Sequence, residues 1–186
     1  MVETLIRKAV LTDAQDILDL VNGLAQDQVM LPRSPASVVE HIRDFQVAQV
    51  DGAFAGCSAL AVIWSDIAEV RSIAVSPEHQ GLGLGHRMLE RLIGEALQLG
   101  VQRVMAFTYI PDFFVRRGFH LVQHTDLPHK VFNDCLNCPK FHCCDEVAVL
   151  RELYSSNSSP RREPASLPTP GVPLPRIANP TSERVA

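Results

Sequence analysis

Apolar residues along the chain change their spacing from one segment to the next, and each change marks an element. Leu5 to Val10 alternates and reads as a strand. Thr12-Asp13-Ala14-Gln15 offers a capping box, Thr12 as cap and Gln15 three positions on, ahead of a first helix through Ile17, Leu18, Leu20 and Val21. Ser34-Pro35 opens a second helix, since proline suits a first helical position, and Val38, Val39, Ile42 and Phe45 follow at helical spacing. Asp51-Gly52 is a hairpin turn between strands at Gln46 to Val50 and Ala53 to Trp64, and Ile67 to Val75 supplies a third antiparallel strand. Met88, Leu89, Leu92, Ile93, Ala96 and Leu97 then form one stripe of a helix that stops at Gly100. Val101 to Thr108 reads as a buried strand, Pro111 to Arg117 as a short helix broken by Gly118, Phe119 to Gln123 as extended chain, and Glu146 to Leu150 as a last strand. The order predicts a mixed α/β (α+β) domain.

Length and composition narrow this picture. At 186 residues there is room for one domain with a substantial core, which residues 1–154 account for. Residues 155–186 hold seven of the thirteen prolines, several serines and no aromatic residue, so they bury too little surface to offset the entropy of ordering and read as a disordered tail. A formal charge of -4 gives no basic footprint, so no nucleic-acid partner is expected and any bound phosphate must be held locally. The longest apolar run, Ala59 to Trp64, is far short of the roughly 18 residues a spanning helix needs, so no membrane segment is expected. Glu3 and Arg7 interrupt the N-terminus where a secretory signal would be apolar, which points to a cytoplasmic protein.

Five cysteines, four of them between Cys135 and Cys144, look unlike a disulfide framework and suggest reduced thiols or a metal. Cys135-x-x-Cys138 with His142, Cys143 and Cys144 has zinc-ligand types. A single CxxC and adjacent cysteines rarely complete a four-ligand site, so no metal is expected and a structural loop is the simpler reading. Cys57 lies in an apolar strand and reads as core.

Chemistry concentrates after the third strand. Gly81, Gly83 and Gly85 stand at alternate positions between a turn at Ser76-Pro77 and the long helix. Glycines allow close backbone approach, and a helix N-terminus presents unpaired N–H groups and a positive dipole end to an anion. The spacing fails the dinucleotide fingerprint and lacks the Gly-Lys-Ser/Thr of a P-loop. His79 and His86 flank this loop as phosphate contacts or as polar surface.

Gln80-Gly81-Leu82-Gly83-Leu84-Gly85 resembles the GNAT signature Gln/Arg-x-x-Gly-x-Gly/Ala. Phe113-Phe114-Val115-Arg116-Arg117-Gly118-Phe119 resembles the second signature of that family, aromatic-aromatic-x-x-x-Gly-Phe. Ala68 to Val75 and the run Leu127 to Phe141 are similar to the short single-domain amino-acid N-acetyltransferases of arginine biosynthesis, the N-acetylglutamate synthases without a kinase-like domain. The resemblance covers about residues 4 to 153. It implies a mixed, mostly antiparallel sheet splayed in the middle with helices on both faces, and acetyl-CoA held in the split between the strands of Val75 and Val104. The implied cofactor contacts are Ile73, Ala74, Val75, Gln80 to His86, Phe113, Phe114 and Arg117.

The implied reaction is transfer of acetyl from acetyl-CoA to the α-amine of a free amino acid, L-glutamate first and L-glutamine second. The alternatives are another small amine or a peptide N-terminus, or a catalytically silent acetyl-CoA sensor. The oxyanion donor is a backbone N–H near a strand bulge, a position matched by Val75. Glu69 is the candidate base, against a simple pairing with Arg71, and strict alternation puts Glu69, Arg71, Ile73 and Val75 on one face. The usual tyrosine acid of the family is replaced by Phe114, which leaves solvent or Tyr109 to protonate the thiolate. Arg71, Arg33 and Lys130 are the candidate carboxylate contacts, against solvated surface charge. A homodimer is compatible with such folds, although no residue specifies one.

Overall fold

The computed structural model describes residues 2–127 and 144–154. Lys130, Cys135, Cys138, His142, Cys143 and residues 155–186 lie outside the described residues, so the calls on the cysteine loop, that lysine and the tail rest on sequence alone. Cys144 is described and exposed.

Among the described residues there are seven strands: β1 (Thr4–Lys8), β2 (Phe45–Val50), β3 (Ala53–Val62), β4 (Ile67–Val75), β5 (Arg103–Thr108), β6 (His120–Leu121) and β7 (Val147–Glu152). They form one sheet in the order β1-β2-β3-β4-β5-β7-β6. Only β4 and β5 run parallel, and they pair over three positions: Ile67 with Arg103, Ala68 with Val104, and Glu69 with Met105. Beyond Glu69 the two strands part, so Val104 marks the closed end of the split and the opening lies toward Val75 and Thr108.

Helices α1 (Ala14–Gln26) and α2 (Pro35–Glu40) cover one face, packing Ile17, Val21 and Val38 on Val47, Cys57, Ala59 and Ala74. Helix α3 (Leu84–Leu99) covers the other, with Leu89, Leu92, Ile93 and Ala96 on Ala68, Val70 and Val104. A short α4 (Pro111–Val115) adds Phe114 to that second core. Met88, Leu89, Leu92, Ile93 and Ala96 of the α3 stripe are buried as their spacing predicts, whereas Leu97 falls at its edge and is exposed, and Gly100 ends the helix at φ +78°. The Asp51-Gly52 turn also forms as expected, with both residues at positive φ (48° and 82°) as a tight hairpin requires.

One helix start and one helix end differ from expectation. Thr12 does not cap α1, because a 3-10 turn over Leu11–Asp13 precedes it. Asp13 stands at the N-cap of α1 but makes no side-chain bond to that helix; its carboxylate turns back, accepting from Val10 N–H at 2.8 Å and from two Arg7 guanidinium nitrogens. Ser34 does cap α2, accepting from Ser37 N–H at 3.1 Å. That helix stops at Glu40, however; a 3-10 turn follows and Phe45 is already strand, which leaves Val39 half exposed. The β2–β3 hairpin needs Phe45 in its ladder opposite Ala59, and the pairing overrides the helical spacing.

Candidate active site

Pairing between β3 and β4 jumps from Cys57–Ala74 to Ala59–Arg71, so Ser72 and Ile73 together stand opposite the single residue Ser58. This is a β-bulge. Ser72 sits there at φ +49°, a left-handed conformation that costs a non-glycine residue roughly 1–3 kcal/mol unless neighbours enforce it.

The bulge breaks the simple alternation. Before it, Glu69 and Arg71 face the side covered by α1; after it, Ile73 and Val75 pack on the α3 side with Leu84 and Met88. The four residues therefore do not share a face, contrary to the period-2 expectation. Val75 is in register with Gly56, three residues past Ser72, so the bulge lies at Ser72–Ile73 and not at Val75. Ser76 N–H donates to Ala55 of β3 at 2.9 Å, which turns alternate amides, those of Ile73 and Val75, to the opposite edge and into the split. Ala74 buries its side chain on the α1 face and aims its carbonyl at β3, only 2.6 Å from where a Cβ on Gly56 would sit. It therefore presents nothing to a ligand in the split.

Polar groups gather at the bulge from three elements. Arg33, in the loop between α1 and α2, donates from Nε to Ser72 Oγ at 3.1 Å. Its main chain is held by Asn22 of α1, whose carboxamide donates to Arg33 C=O at 3.1 Å and accepts from Arg33 N–H at 2.9 Å. Arg71 donates from Nε to Glu69 Oε2 at 2.6 Å, and the carboxylate is buried. Cys57 donates its thiol to the Ser72 carbonyl at 3.6 Å, and burial pushes that thiol up to about 12, with Arg33 opposing the shift. Sequence reasoning missed Asn22 and Ser72 and read Cys57 only as core; no local signal marks a serine in a left-handed bulge.

The glycine loop assembles a second set. Gly81 and Gly83 adopt φ +82° and +72°, which side chains tolerate poorly. Gly83 caps α3, and the first intrahelical bond runs from Arg87 N–H to Gly83 C=O, so the N–H groups of Leu84, Gly85 and His86 are the unpaired first turn. A Cβ on Gly85 would meet the Phe113 ring at 3.6 Å. Arg117 lies 5.9 Å from the centre of the same ring and donates to His86 Nδ1. With Nδ1 accepting that bond, Nε2 is the ring nitrogen left to donate beside the helix start. Gln80 and Leu82 are exposed at the loop surface. Leu84 offers only main chain, because its side chain is buried.

Phe114 departs from its expected place as a ligand contact. It is buried in the α3 core and meets Phe119 edge-on at 5.3 Å. The α4 stripe gives Phe113 the outward position. His79 bonds to Ser76 Oγ at 2.8 Å, inside the turn. Tyr109, at the end of β5, donates its hydroxyl to Asp145 at 2.8 Å, so its proton is committed to a carboxylate. Among the described residues, no group of His, Cys, Asp and Glu side chains is placed to hold a metal ion, and no helix is long and apolar enough to cross a membrane.

Residues 20–120, which take in the bulged strand, the glycine turn and α3, match the Acetyltransferase (GNAT) family, over more than half of the chain. The chain belongs to the GNAT family. Its GNAT relatives include an uncharacterized N-acetyltransferase of Chlorobaculum tepidum, 38% identical over 81% of this chain and 97% of that protein. A Mycobacterium tuberculosis protein named amino-acid acetyltransferase is 35% identical over 69% of this chain and 75% of its own length. Among solved structures, N-acetylglutamate synthase from Neisseria gonorrhoeae, complexed with coenzyme A and N-acetyl-glutamate, superposes with a TM-score of 0.74 at 28% identity. That likeness covers 82% of this chain but only 36% of the Neisseria protein. As a GNAT protein the chain is an acetyltransferase, and its acetyl donor is acetyl-CoA.

Proposed function

We propose that the chain acetylates the α-amine of a free amino acid, with L-glutamate as the first acceptor and L-glutamine the second, the step that opens arginine biosynthesis. The observation that carries this reading is a pair of arginines at the β4 bulge: Arg33 donates to Ser72 Oγ, and Arg71, next to Ser72 in the chain, pairs with the buried Glu69. A dicarboxylic amino acid brings two carboxylates, and planar guanidinium groups bind carboxylates in bidentate fashion. Further support comes from the Mycobacterium relative named amino-acid acetyltransferase and from the Neisseria neighbour crystallised with N-acetyl-glutamate.

In this reading each residue has a task. The amine must lose a proton before it attacks, and Glu69 takes it, directly or through water, while the Arg71 bond holds the carboxylate in place. Main-chain N–H groups that face the split, Ile73 at the bulge and Val75 two residues on, steady the negative charge on the acetyl oxygen during transfer. The first-turn amides of α3, with His86 and Arg117, hold the diphosphate of the donor, and Phe113 walls the same pocket. Tyr109 stays on Asp145, and solvent protonates the departing thiolate. Lys130 remains a third candidate carboxylate contact.

Thiol release from acetyl-CoA, measured against all twenty free amino acids, tests the proposal. The expected result is fastest turnover with glutamate and slower turnover with glutamine. Absence of turnover with every free amino acid, alongside measurable turnover on a peptide N-terminus, would sink it.

A further inference from the structure

We infer that Asn22 and Cys57 are positioning residues: together they latch the acceptor loop onto the β4 bulge, so that substrate contact and oxyanion donor are held in one rigid unit. The inference rests on Arg33 being an acceptor contact, as proposed above, and goes beyond it by assigning the parts that keep Arg33 and the bulge in place.

The geometry forms a chain of bonds across three elements. Asn22 projects from α1 and satisfies both the N–H and the C=O of Arg33, at 2.9 and 3.1 Å. A carboxamide used this way substitutes for a strand partner and fixes the loop at the one residue that carries the guanidinium. Arg33 then reaches Ser72 Oγ at 3.1 Å. From β3, the Cys57 thiol reaches the Ser72 carbonyl at 3.6 Å. Ser72 is thus gripped at its hydroxyl and at its carbonyl while it holds φ +49°, a backbone state that a serine abandons without such enforcement.

Chemistry and burial favour a donor role for Cys57. Its side chain is fully buried among Val47, Ala59 and Ala74, and burial keeps the thiol protonated throughout the working pH range. A thiol that never ionises is no nucleophile; it is a small apolar body with one weak donor, and that donor has a single carbonyl to serve. The peptide unit after Ser72 carries the Ile73 amide that faces the split, so rotation about the bulge would swing that amide away from the acetyl oxygen.

The test uses the full chain in three assays: steady-state kinetics with acetyl-CoA and glutamate, calorimetric titration with coenzyme A, and backbone nitrogen relaxation by NMR. Asn22→Ala is expected to raise the acceptor KM about tenfold while the coenzyme Kd stays within about twofold, because only the loop loosens. Cys57→Ala is expected to lower kcat about tenfold and to lower the order parameter at Ile73, whereas Cys57→Ser, which keeps a donor for the Ser72 carbonyl, recovers most of both. A purely structural cysteine would predict instead that both variants lower the melting temperature with kcat and the Ile73 order parameter unchanged, and that result overturns the latch. An unchanged acceptor KM in Asn22→Ala, when Arg33→Ala has raised it, also overturns the latch and leaves the acceptor reading standing. An unchanged KM in Arg33→Ala removes the acceptor reading itself; the order parameter at Ile73 in the Cys57 variants then decides whether the bulge is held as inferred.

Discussion

Glu69 and Asp13 are both buried carboxylates paired with arginine, yet they sit in different company. Glu69 is buried at the last position where β4 pairs with β5, three residues before Ser72, and its pairing with Arg71 is compatible with a base as well as with a structural ion pair. The two roles separate in Glu69→Gln: a base predicts a fall in kcat of about a hundredfold or more with coenzyme affinity intact, and a structural pair predicts a lower melting temperature with kcat per folded molecule preserved. Asp13 lies far from that chemistry. Two hydrogen bonds from Arg7, at 2.7 and 2.8 Å, and one from Val10 N–H hold its carboxyl below the usual carboxylate range despite its burial. A depressed native value means the stabilisation is present above the unfolded value of about 3.9 and is lost as pH falls through the lower native one. Asp13→Asn should therefore cost about 2 kcal/mol at neutral pH, and denaturant titrations of the two proteins should converge in strong acid. The Glu69–Arg71 pairing was anticipated as the alternative to a base, whereas the Arg7–Asp13 pairing was not legible: Thr12 looked the better cap because the capping-box motif is read locally, and Arg7 reaches Asp13 from strand β1.

The glycine loop and α3 were the most readable element, because every cue there is short-range: alternate glycines, an apolar stripe at helical spacing and Gly100 as stop. The glycines are nevertheless unequal. Gly83 sits at φ +72°, while Gly85 has an ordinary φ and room for a methyl group 3.6 Å from Phe113. Gly83→Ala should weaken coenzyme A binding about tenfold, since the left-handed state costs an L-residue roughly 1–2 kcal/mol, and Gly85→Ala should weaken it far less; calorimetry on the two variants checks the order. Strand β4 was legible in extent but not in shape. Its ends, Ile67 and Val75, match expectation, yet the facing of its side chains inverts after Ser72. Period-2 reasoning fails there because the positive φ belongs to a serine held by Cys57 and Arg33, contacts that no window of local sequence contains. The second helix failed for a related reason: Ile42 and Phe45 continue the helical spacing, but Phe45 gains more from the ladder opposite Ala59.

Across the molecule, the sheet is two unequal parts, β1–β4 and β5–β7, joined through three residue pairs between β4 and β5 and through α3 above them. The family resemblance anticipated the splay; nothing in the spacing of apolar residues marks where parallel strands part company. The amides of Ile73 and Val75, turned into the gap, lack a strand on that side, and an extended donor lying there would serve as one. Saturating coenzyme A at about a hundredfold over its Kd should stabilise the fold by about 2.7 kcal/mol, and amide exchange should slow along β4 beyond Glu69 more than at the Asp51-Gly52 hairpin. Uniform slowing, or none on β4, would argue that the ligand sits elsewhere. An incomplete seam of this kind makes the reagent a mortar as well as a reactant: starvation for acetyl donor would leave the enzyme at its softest and most readily clipped by proteases, so its abundance would track the supply it consumes.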